Sequence, residues 1–357
     1  MGKKTLRDKL KCFCEIALVK AGLSMGEALI VSEVLVTNDE MGVNSHGTTL
    51  LRNYIRQLMA GGVNTNAEPT IVINEPSLVI VDGNGGLGIL TAYKATEIAI
   101  GKAKETGICI TSVRGSNHAA AMGYYALMCA KENMIGIVMS NSNPVMSIPG
   151  TKGRIIGNNP FAYAIPAGKA NIVFFDVSMS VISGGKIKNF ELEGKSCPDN
   201  WLVDKNGNPT TDPSVFRKGG TLLPFALHKG YGFAVMIECL AGILSGAGFT
   251  KRNVDWVAYP GAKNNIGHMI IALDIKRFTP LKEFIARMEL FVDELHNADC
   301  ADGIKRIFLP GEIELEKMEK AKGGFYPGDA TYENLRLLAE ELGIEDDYKN
   351  VWVSDSL

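Results

Sequence analysis

Residues Ser112 to Tyr125, SVRGSNHAAAMGYY, change their period part-way along. The first few continue a β-branched run that begins at Gly107. The last few are alanine-rich and follow helical spacing. Between them lies a turn of small residues ending at Asn117 and His118. A strand-turn-helix step of this kind is a joint of α/β proteins, and such joints are where chemistry is usually placed. Little bulk covers His118, and an imidazole with an unperturbed pKa of about 6.5 suits proton transfer at neutral pH. The alternative is a capping or surface histidine, and position alone leaves both readings open.

Toward the N-terminus the chain is helical. Leu6, Leu10, Phe13, Ala17 and Leu18 share one helical face, and Gly22 ends that helix. Ser24 with Glu27 reads as a capping box for a second helix. Ser45 reads as the cap of a third, with Leu51, Ile55 and Leu58 inward. The period then shortens: strands are expected at 70–73 and 78–81, a helix through Ala92 to Ala99, and a strand into Val113. Toward the C-terminus the pattern predicts a helix at 119–132 and strands at 135–140, 162–165 and 172–176. Residues 183–220 read as irregular surface. A long small-residue helix is expected over 222–249, then a strand at 268–274. Thr279-Pro280 opens a helix with Phe284, Met288, Phe291 and Leu295 inside. Helices follow at 312–322 and 331–342. The reading is a mixed α/β protein with a central sheet domain (71–278) and a helical domain built from both termini (1–70 and 279–357).

Composition narrows the function. A net charge of −2 without a long basic run argues against nucleic acid as the main partner. Apolar runs break before about 18 residues, so no membrane span is expected, and Met1 to Lys11 lacks the apolar core of a secretory signal. Seven scattered cysteines without zinc spacing point to reduced thiols in a cytoplasmic protein and to no metal site.

Gly83-x-Gly85-x-x-Gly88 follows a strand and precedes a helix, as a dinucleotide phosphate loop does. The acidic residue expected roughly 20 positions on is absent, because Arg114 follows that strand. The other reading is a tight turn whose glycines permit close helix–sheet packing. Ser140-Asn141-Ser142 ends a strand with hydrogen-bonding groups and no bulk, suited to a cofactor or to a plain turn. Asp176-Val177-Ser178 ends another; its carboxylate suits a ribose or a helix cap equally. Lys229, before Gly230-Tyr231-Gly232, either snorkels or meets a ligand. Ser45-His46-Gly47 sets a hydroxyl and an imidazole at a helix start. His268 and His296 are assigned no chemistry.

As an ordered set these stretches resemble the malate/L-lactate dehydrogenase family, which includes ureidoglycolate and L-sulfolactate dehydrogenases. The residues that carry the resemblance are Ser45-His46-Gly47, Ser116-Asn117-His118 with Gly123-Tyr124-Tyr125, Ser140-Asn141-Ser142, and Gly157-Asn158-Asn159-Pro160. Asp176-Val177-Ser178, Lys229-Gly230-Tyr231-Gly232, Asn265-Ile266-Gly267-His268, Pro310-Gly311-Glu312 and the segment Trp201 to Pro213 complete it. The resemblance implies a non-Rossmann, largely antiparallel cofactor sheet, so that the Gly83 motif serves packing. It implies a homodimer that transfers a hydride between NAD, with NADP possible, and a small 2-hydroxy or 2-oxo acid. His118 would be the acid/base, with Ser45 and His46 facing substrate and nicotinamide. Ser142, Asp176, Val177, Ser178, Lys229, Pro310, Gly311 and Glu312 would contact the dinucleotide. Family members commonly carry an arginine for the substrate carboxylate where this chain has Leu50, and the expected replacements are Arg52 or Arg154. Reduction of a cyclic imino acid or diketo sugar acid is the second reading; a dinucleotide-binding regulatory protein without turnover is the third.

Overall fold

The structure is a computed structural model, and it describes residues 3–353. The first helices form as their apolar spacing dictates. Helix α1 (Arg7–Lys20) buries Leu10, Phe13, Ala17 and Leu18. Helix α2 (Met25–Glu40) starts with the expected capping box: Ser24 Oγ accepts the Glu27 N–H, and the Glu27 carboxylate accepts the Ser24 N–H at 2.8 Å. The third helix differs. Two short 3₁₀ turns, Asn44–His46 and Thr48–Leu50, come first, and α3 (Leu51–Met59) begins only afterwards. Ser45 therefore caps no α-helix, and its hydroxyl turns to its neighbour His46 instead.

The central sheet has seven strands. Strands β1 (Thr70–Asn74) and β2 (Leu78–Asp82) pair antiparallel. Helix α4 (Gly88–Thr106) then leads to β3 (Ile108–Ser116), which lies parallel to β2. Helix α5 (Met122–Lys131) follows the His118 turn, and β4 (Met134–Ser140), β5 (Phe161–Pro166) and β6 (Ile172–Val177) extend the sheet antiparallel. The segment expected to be irregular contains α6 (Gly184–Leu192) and a small sheet of β7 (Leu202–Val203), β8 (Pro209–Thr210) and β9 (Thr221–Leu222). The long helix expected from Leu222 is shorter. Pro224 and the positive φ of Ala226 and Leu227 hold the chain open, so α7 (His228–Ile237) starts later and runs into a π-helical turn, Glu238–Ile243.

Strand β10 (Ile266–Asp274) inserts between β3 and β4, antiparallel to both. The order is β1-β2-β3-β10-β4-β5-β6, with β2/β3 the sole parallel pair in this sheet. This is the mixed, largely antiparallel sheet expected, and it is not a Rossmann sheet. Helix α8 (Leu281–His296) buries Val292 against β6 and leaves Phe291 half exposed, because it meets the sheet edge along a narrow stripe and not a core. The tail forms α9 (Glu312–Ala321), α10 (Asp329–Leu342) and α11 (Glu345–Val351). Helix α1 packs on α2, α10 and α11, while α2 also packs on α4 and α9. One apolar core joins these helices to β2, β3, β4 and β5. Among the described residues no helix is long and apolar enough to cross a membrane.

The directions of the strands decide where chemistry can sit. The C-terminal ends of β2, β3, β4 and β6 and the N-terminal ends of β10 and β5 share one edge, with Ile266 opposite Ser116, His268 opposite Ser140, and Phe161 opposite Val177. Sequence blocks far apart in the chain, at 82–88, 116–118, 140–142, 158–160, 176–178 and 265–268, thus arrive along one line.

Candidate active site

His118 lies between β3 and α5. Its Nδ1 is 2.7 Å from the Tyr54 hydroxyl, which also accepts the Ala120 N–H at 3.1 Å. A phenol can donate or accept, so Tyr54 satisfies Nδ1 in either protonation state and leaves Nε2 for a reactant. The imidazole stacks with two rings: Trp256 at 4.8 Å and His46 at 5.8 Å, centroid to centroid, both about parallel. Tyr54 in turn stacks on Trp256 at 5.1 Å. Burial, then the neighbouring His46 and His268, push His118 down to about 3, so the ring is neutral in the free protein. Burial likewise pushes His46 down to about 4. His46 Nδ1 is held by Ser45 Oγ at 2.9 Å.

The backbone beside His118 is fixed from two sides. Asn117 donates to the carbonyl of Gly86 at 2.8 Å and accepts from Gln57 at 3.0 Å. Gly88 lets the start of α4 come close: a Cβ there would lie 2.1 Å from the Asn117 carbonyl oxygen. The Gly83 loop is bound up in the same support, because Gly83 and Gly85 donate to the carbonyls of Arg114 and Gly115 at 2.8 and 2.7 Å. The packing reading of that motif is the one these contacts describe. His268, which sequence alone assigned no chemistry, is fully buried, with Nδ1 2.8 Å from Ser140 Oγ and Nε2 2.9 Å from Ser116 Oγ. One ring thereby ties the strand ends that carry the His118 and Ser142 loops.

Further along the edge, Ser142 bonds to Asn158 and accepts a place opposite Asn159, whose Oδ1 takes the Ser142 N–H at 3.1 Å. Asn158 holds the Met179 N–H at 2.7 Å, and Gly230 packs on the Met179 carbonyl, which brings Lys229 to the Ser178 loop. Lys229 is exposed and forms no ion pair among the described residues. Asp176 caps α5: its Oδ2 accepts the Gly123 N–H at 2.7 Å, and burial pushes the carboxyl up to about 6. Val177 pairs with Phe161 in the ladder. The Pro310 carbonyl accepts the Phe174 N–H at 3.1 Å, and Gly311, with φ +89°, sits against the Phe174 ring where no Cβ fits. Glu312 is committed to its own loop, accepting the Leu309 N–H at 3.0 Å and pairing with His296 and Arg306.

The two arginines differ. Tyr54 faces His118, and Arg52, two residues earlier, turns away around the helix. Its guanidinium holds Glu341 on α10 through bonds of 3.0 and 2.5 Å, shared with Arg56. Arg52 is therefore not delivered to the site. Arg154 stacks over the Phe216 ring at 4.5 Å and donates Nη2 to the Phe216 carbonyl and Nε to that of Gly220. Phe216 lies on Gly184, and a Cβ at Gly185 would stand 3.4 Å from Ser45 Cβ. Asp255, beside Trp256, faces Arg154 electrostatically. Arg154 is thus held on Phe216, which packs on Gly184 beside the Ser45 turn. Leu50 packs against the apolar core.

Tyr54 and Trp256 are the residues that sequence reading missed. Tyr54 lies beside Ile55 on α3 and is not among the inward residues read there, Leu51, Ile55 and Leu58. Trp256 gave a signal in retrospect, as a large aromatic in a polar turn. Among the described residues no cluster could hold a metal ion.

The family model for malate/L-lactate dehydrogenase matches residues 6–336. The chain is 36% identical over 348 residues to a malate dehydrogenase of Pyrococcus horikoshii, covering 95% of each. It is 35% identical to an L-sulfolactate dehydrogenase of Methanocaldococcus jannaschii, covering 97% of each, and that enzyme's solved structure superposes with a TM-score of 0.87 over 96% of this chain and 99% of that one. A ureidoglycolate dehydrogenase (NAD(+)) of Escherichia coli strain K12 is 32% identical, covering 89% of this chain and 90% of that one. The chain belongs to the malate/L-lactate dehydrogenase family.

Proposed function

We propose that this protein interconverts a small 2-hydroxy acid and its 2-oxo acid with NAD as hydride carrier, and that His118 is the acid/base. The observation that carries the reading is the Tyr54–His118 pair, with Nδ1 held and Nε2 free. The dinucleotide supplies or accepts the hydride when bound. In reduction, the imidazolium gives its Nε2 proton to the carbonyl oxygen while Nδ1–H is held by the Tyr54 oxygen. In oxidation, neutral His118 with Nδ1–H on Tyr54 takes the hydroxyl proton at Nε2. His46, neutral and oriented by Ser45, has its Nε2 for a hydrogen bond to the reacting oxygen. Trp256 stacks on the His118 ring and holds its plane.

The malate, sulfolactate and ureidoglycolate dehydrogenases bear names that differ in the group beyond the 2-hydroxy acid, which supports that shared part as the substrate class. Its carboxylate needs a charged partner in a closed site, because an unpaired buried anion costs several kcal/mol, roughly. Arg154 is the residue for it: its Nη1 is the guanidinium nitrogen not committed to a carbonyl.

Ser142, Asp176, Val177, Ser178 and Lys229 would hold the dinucleotide, with the backbone of Pro310 and Gly311. The donor set suits such a ligand: the Ser142 and Ser178 hydroxyls and the exposed Lys229 ammonium offer partners to ribose and phosphate oxygens. A carboxylate at Asp176, with Glu314 near enough to raise its pKa further, would repel an added 2′-phosphate, which supports NAD over NADP. The site spans the two units read from sequence, 1–70 with 279–357 and 71–278: His46 and Tyr54 come from the first, His118 and Trp256 from the second. The working form is a homodimer in the cytoplasm. Phe233, Met236 and Ile243 stand exposed on one side of α7 and its π-helical turn, a face suited to a second copy. A screen of 2-oxo acids with NADH and NADPH, read by nicotinamide absorbance, tests the activity. Absence of turnover with every acid would overturn it. Sedimentation of an active, stable monomer would overturn the dimer.

A further inference from the structure

Asp39 is a buried carboxyl in the last turn of α2 that the chemistry above does not use. It is 3% exposed. Its Oδ2 accepts the Thr48 N–H at 2.9 Å and the Thr48 hydroxyl at 2.5 Å. Its Oδ1 has no partner and lies over Gly47, where a Cβ would be 2.0 Å away. One residue earlier, Asn38 donates to the His46 carbonyl at 2.9 Å. The end of α2 therefore grips the chain on both sides of Gly47, and His46 at that grip stacks on His118.

We propose that Asp39 is a positioning residue for the reaction, holding the Ser45–Gly47 turn so that the His46 ring stays against His118. The proposal rests on the reading of this site as the hydride-transfer site. The groups that face Asp39 are Glu40 on its own helix, the Cys14 thiol from α1, and Thr48. No cation pairs with it among the described residues. The neutral acid keeps both bonds from Thr48 and sets no charge over Gly47, whereas the carboxylate, though held by the same two bonds at Oδ2, leaves a charged and unpartnered Oδ1 pressed on that backbone. Burial pushes the carboxyl up to about 7, so both forms exist near neutral pH. An asparagine reproduces the neutral acid, its amide oxygen accepting from Thr48.

Asp39→Ala and Asp39→Asn test this in the full chain, with NADH and the 2-oxo acid that the wild type reduces best. Two readouts are needed: kinetics with NADH affinity, and ¹⁵N NMR of the imidazoles, with His46 assigned through His46→Gln. Asp39→Ala is expected to lower kcat/KM by about tenfold or more, to leave NADH affinity within about threefold, and to shift the His46 ring signals. Asp39→Asn is expected to stay within about threefold of wild type at pH 6 and to gain on it by pH 8. The proposal is overturned if a folded Asp39→Ala leaves the rate and the His46 signals unchanged. It is equally overturned if Asn loses as much as Ala, or if both lose NADH affinity along with rate, which marks a scaffold role only. Should the wild type reduce no 2-oxo acid, the functional reading falls, and the His46 signals alone then decide whether Asp39 positions that ring.

Discussion

Two strand-to-helix turns lie side by side on the parallel pair β2 and β3. The first, Asp82 to Gly88, has the glycine spacing of a phosphate loop. The second, Ser116 to Met122, has no such pattern. Yet three glycine amides of the first are already spent: Gly83 and Gly85 donate to the neighbouring strand end, and Gly86 donates back to Gly83 at 2.8 Å. The first turn is a bracket, and what it holds is the second. Asn117 is bonded to its carbonyls, and Gly88 admits the Asn117 backbone. Glycine spacing reports that something approaches the backbone closely; here that something is the next turn of the same protein.

The largest expected effect tests which turn carries the chemistry. His118→Gln keeps hydrogen bonding but removes proton transfer, and should lower kcat by about 10²–10⁴-fold with NADH affinity nearly intact. Near-normal kcat in this variant would pass the role to His46. Next is Arg154→Met. Loss of a charge-assisted contact to the substrate carboxylate should cost about 2–5 kcal/mol, or roughly 30- to 5,000-fold in kcat/KM. Arg52→Met should have little effect on kcat/KM, because its partner is Glu341. A loss below tenfold for Arg154→Met would remove that arginine from the site.

The contrast between the turns also marks what could be read in the sequence. The mixed sheet and the two helical ends followed from period changes and caps, since these are local. The arrival of His118, Ser142 and Asp176 on one edge did not, because it depends on β10 inserting between β3 and β4 from more than a hundred residues away. Only the resemblance gathered those blocks. The aromatic walls escaped for the same reason: Tyr54 and Trp256 meet through tertiary contact, and each alone looks like core or turn. Arg52 was misplaced because its sequence distance from Leu50 was visible and its ion pair with α10 was not.

A smaller effect is expected from Tyr54→Phe. It leaves Nδ1 of His118 facing only the Ala120 N–H, 3.4 Å away, so any proton on Nδ1 loses its acceptor. An unsatisfied buried group costs about 1–3 kcal/mol, hence roughly 5- to 160-fold in kcat for both directions. The pH dependence follows from His118 being held at about 3. Reduction needs the imidazolium, so its kcat/KM should fall about tenfold per pH unit from about pH 5 to 8. Oxidation needs the neutral ring, and its kcat/KM should be nearly flat from about pH 5 to 6 and fall above that only as Asp39 ionises. A reductive profile that is flat over this range would break the assignment.

The smallest effect separates the bracket from a phosphate loop most cleanly. Gly85 has φ +74°, and a Cβ there would meet nothing closer than Asn64 at 3.9 Å. Gly85→Ala therefore costs only backbone strain, about 1–2 kcal/mol, with no clash to confuse the outcome. In a phosphate loop the second glycine is the one whose backbone must touch the pyrophosphate, and an added methyl group there blocks binding. In a bracket, the Gly85 N–H stays on Gly115 at 2.7 Å and the dinucleotide lies elsewhere along the edge. Calorimetric titration of folded Gly85→Ala should thus give an NADH affinity within about threefold of wild type, with the thermal midpoint lowered by a few degrees, roughly. A loss of NADH binding beyond tenfold in a folded variant would return the dinucleotide to the first turn and reverse the comparison.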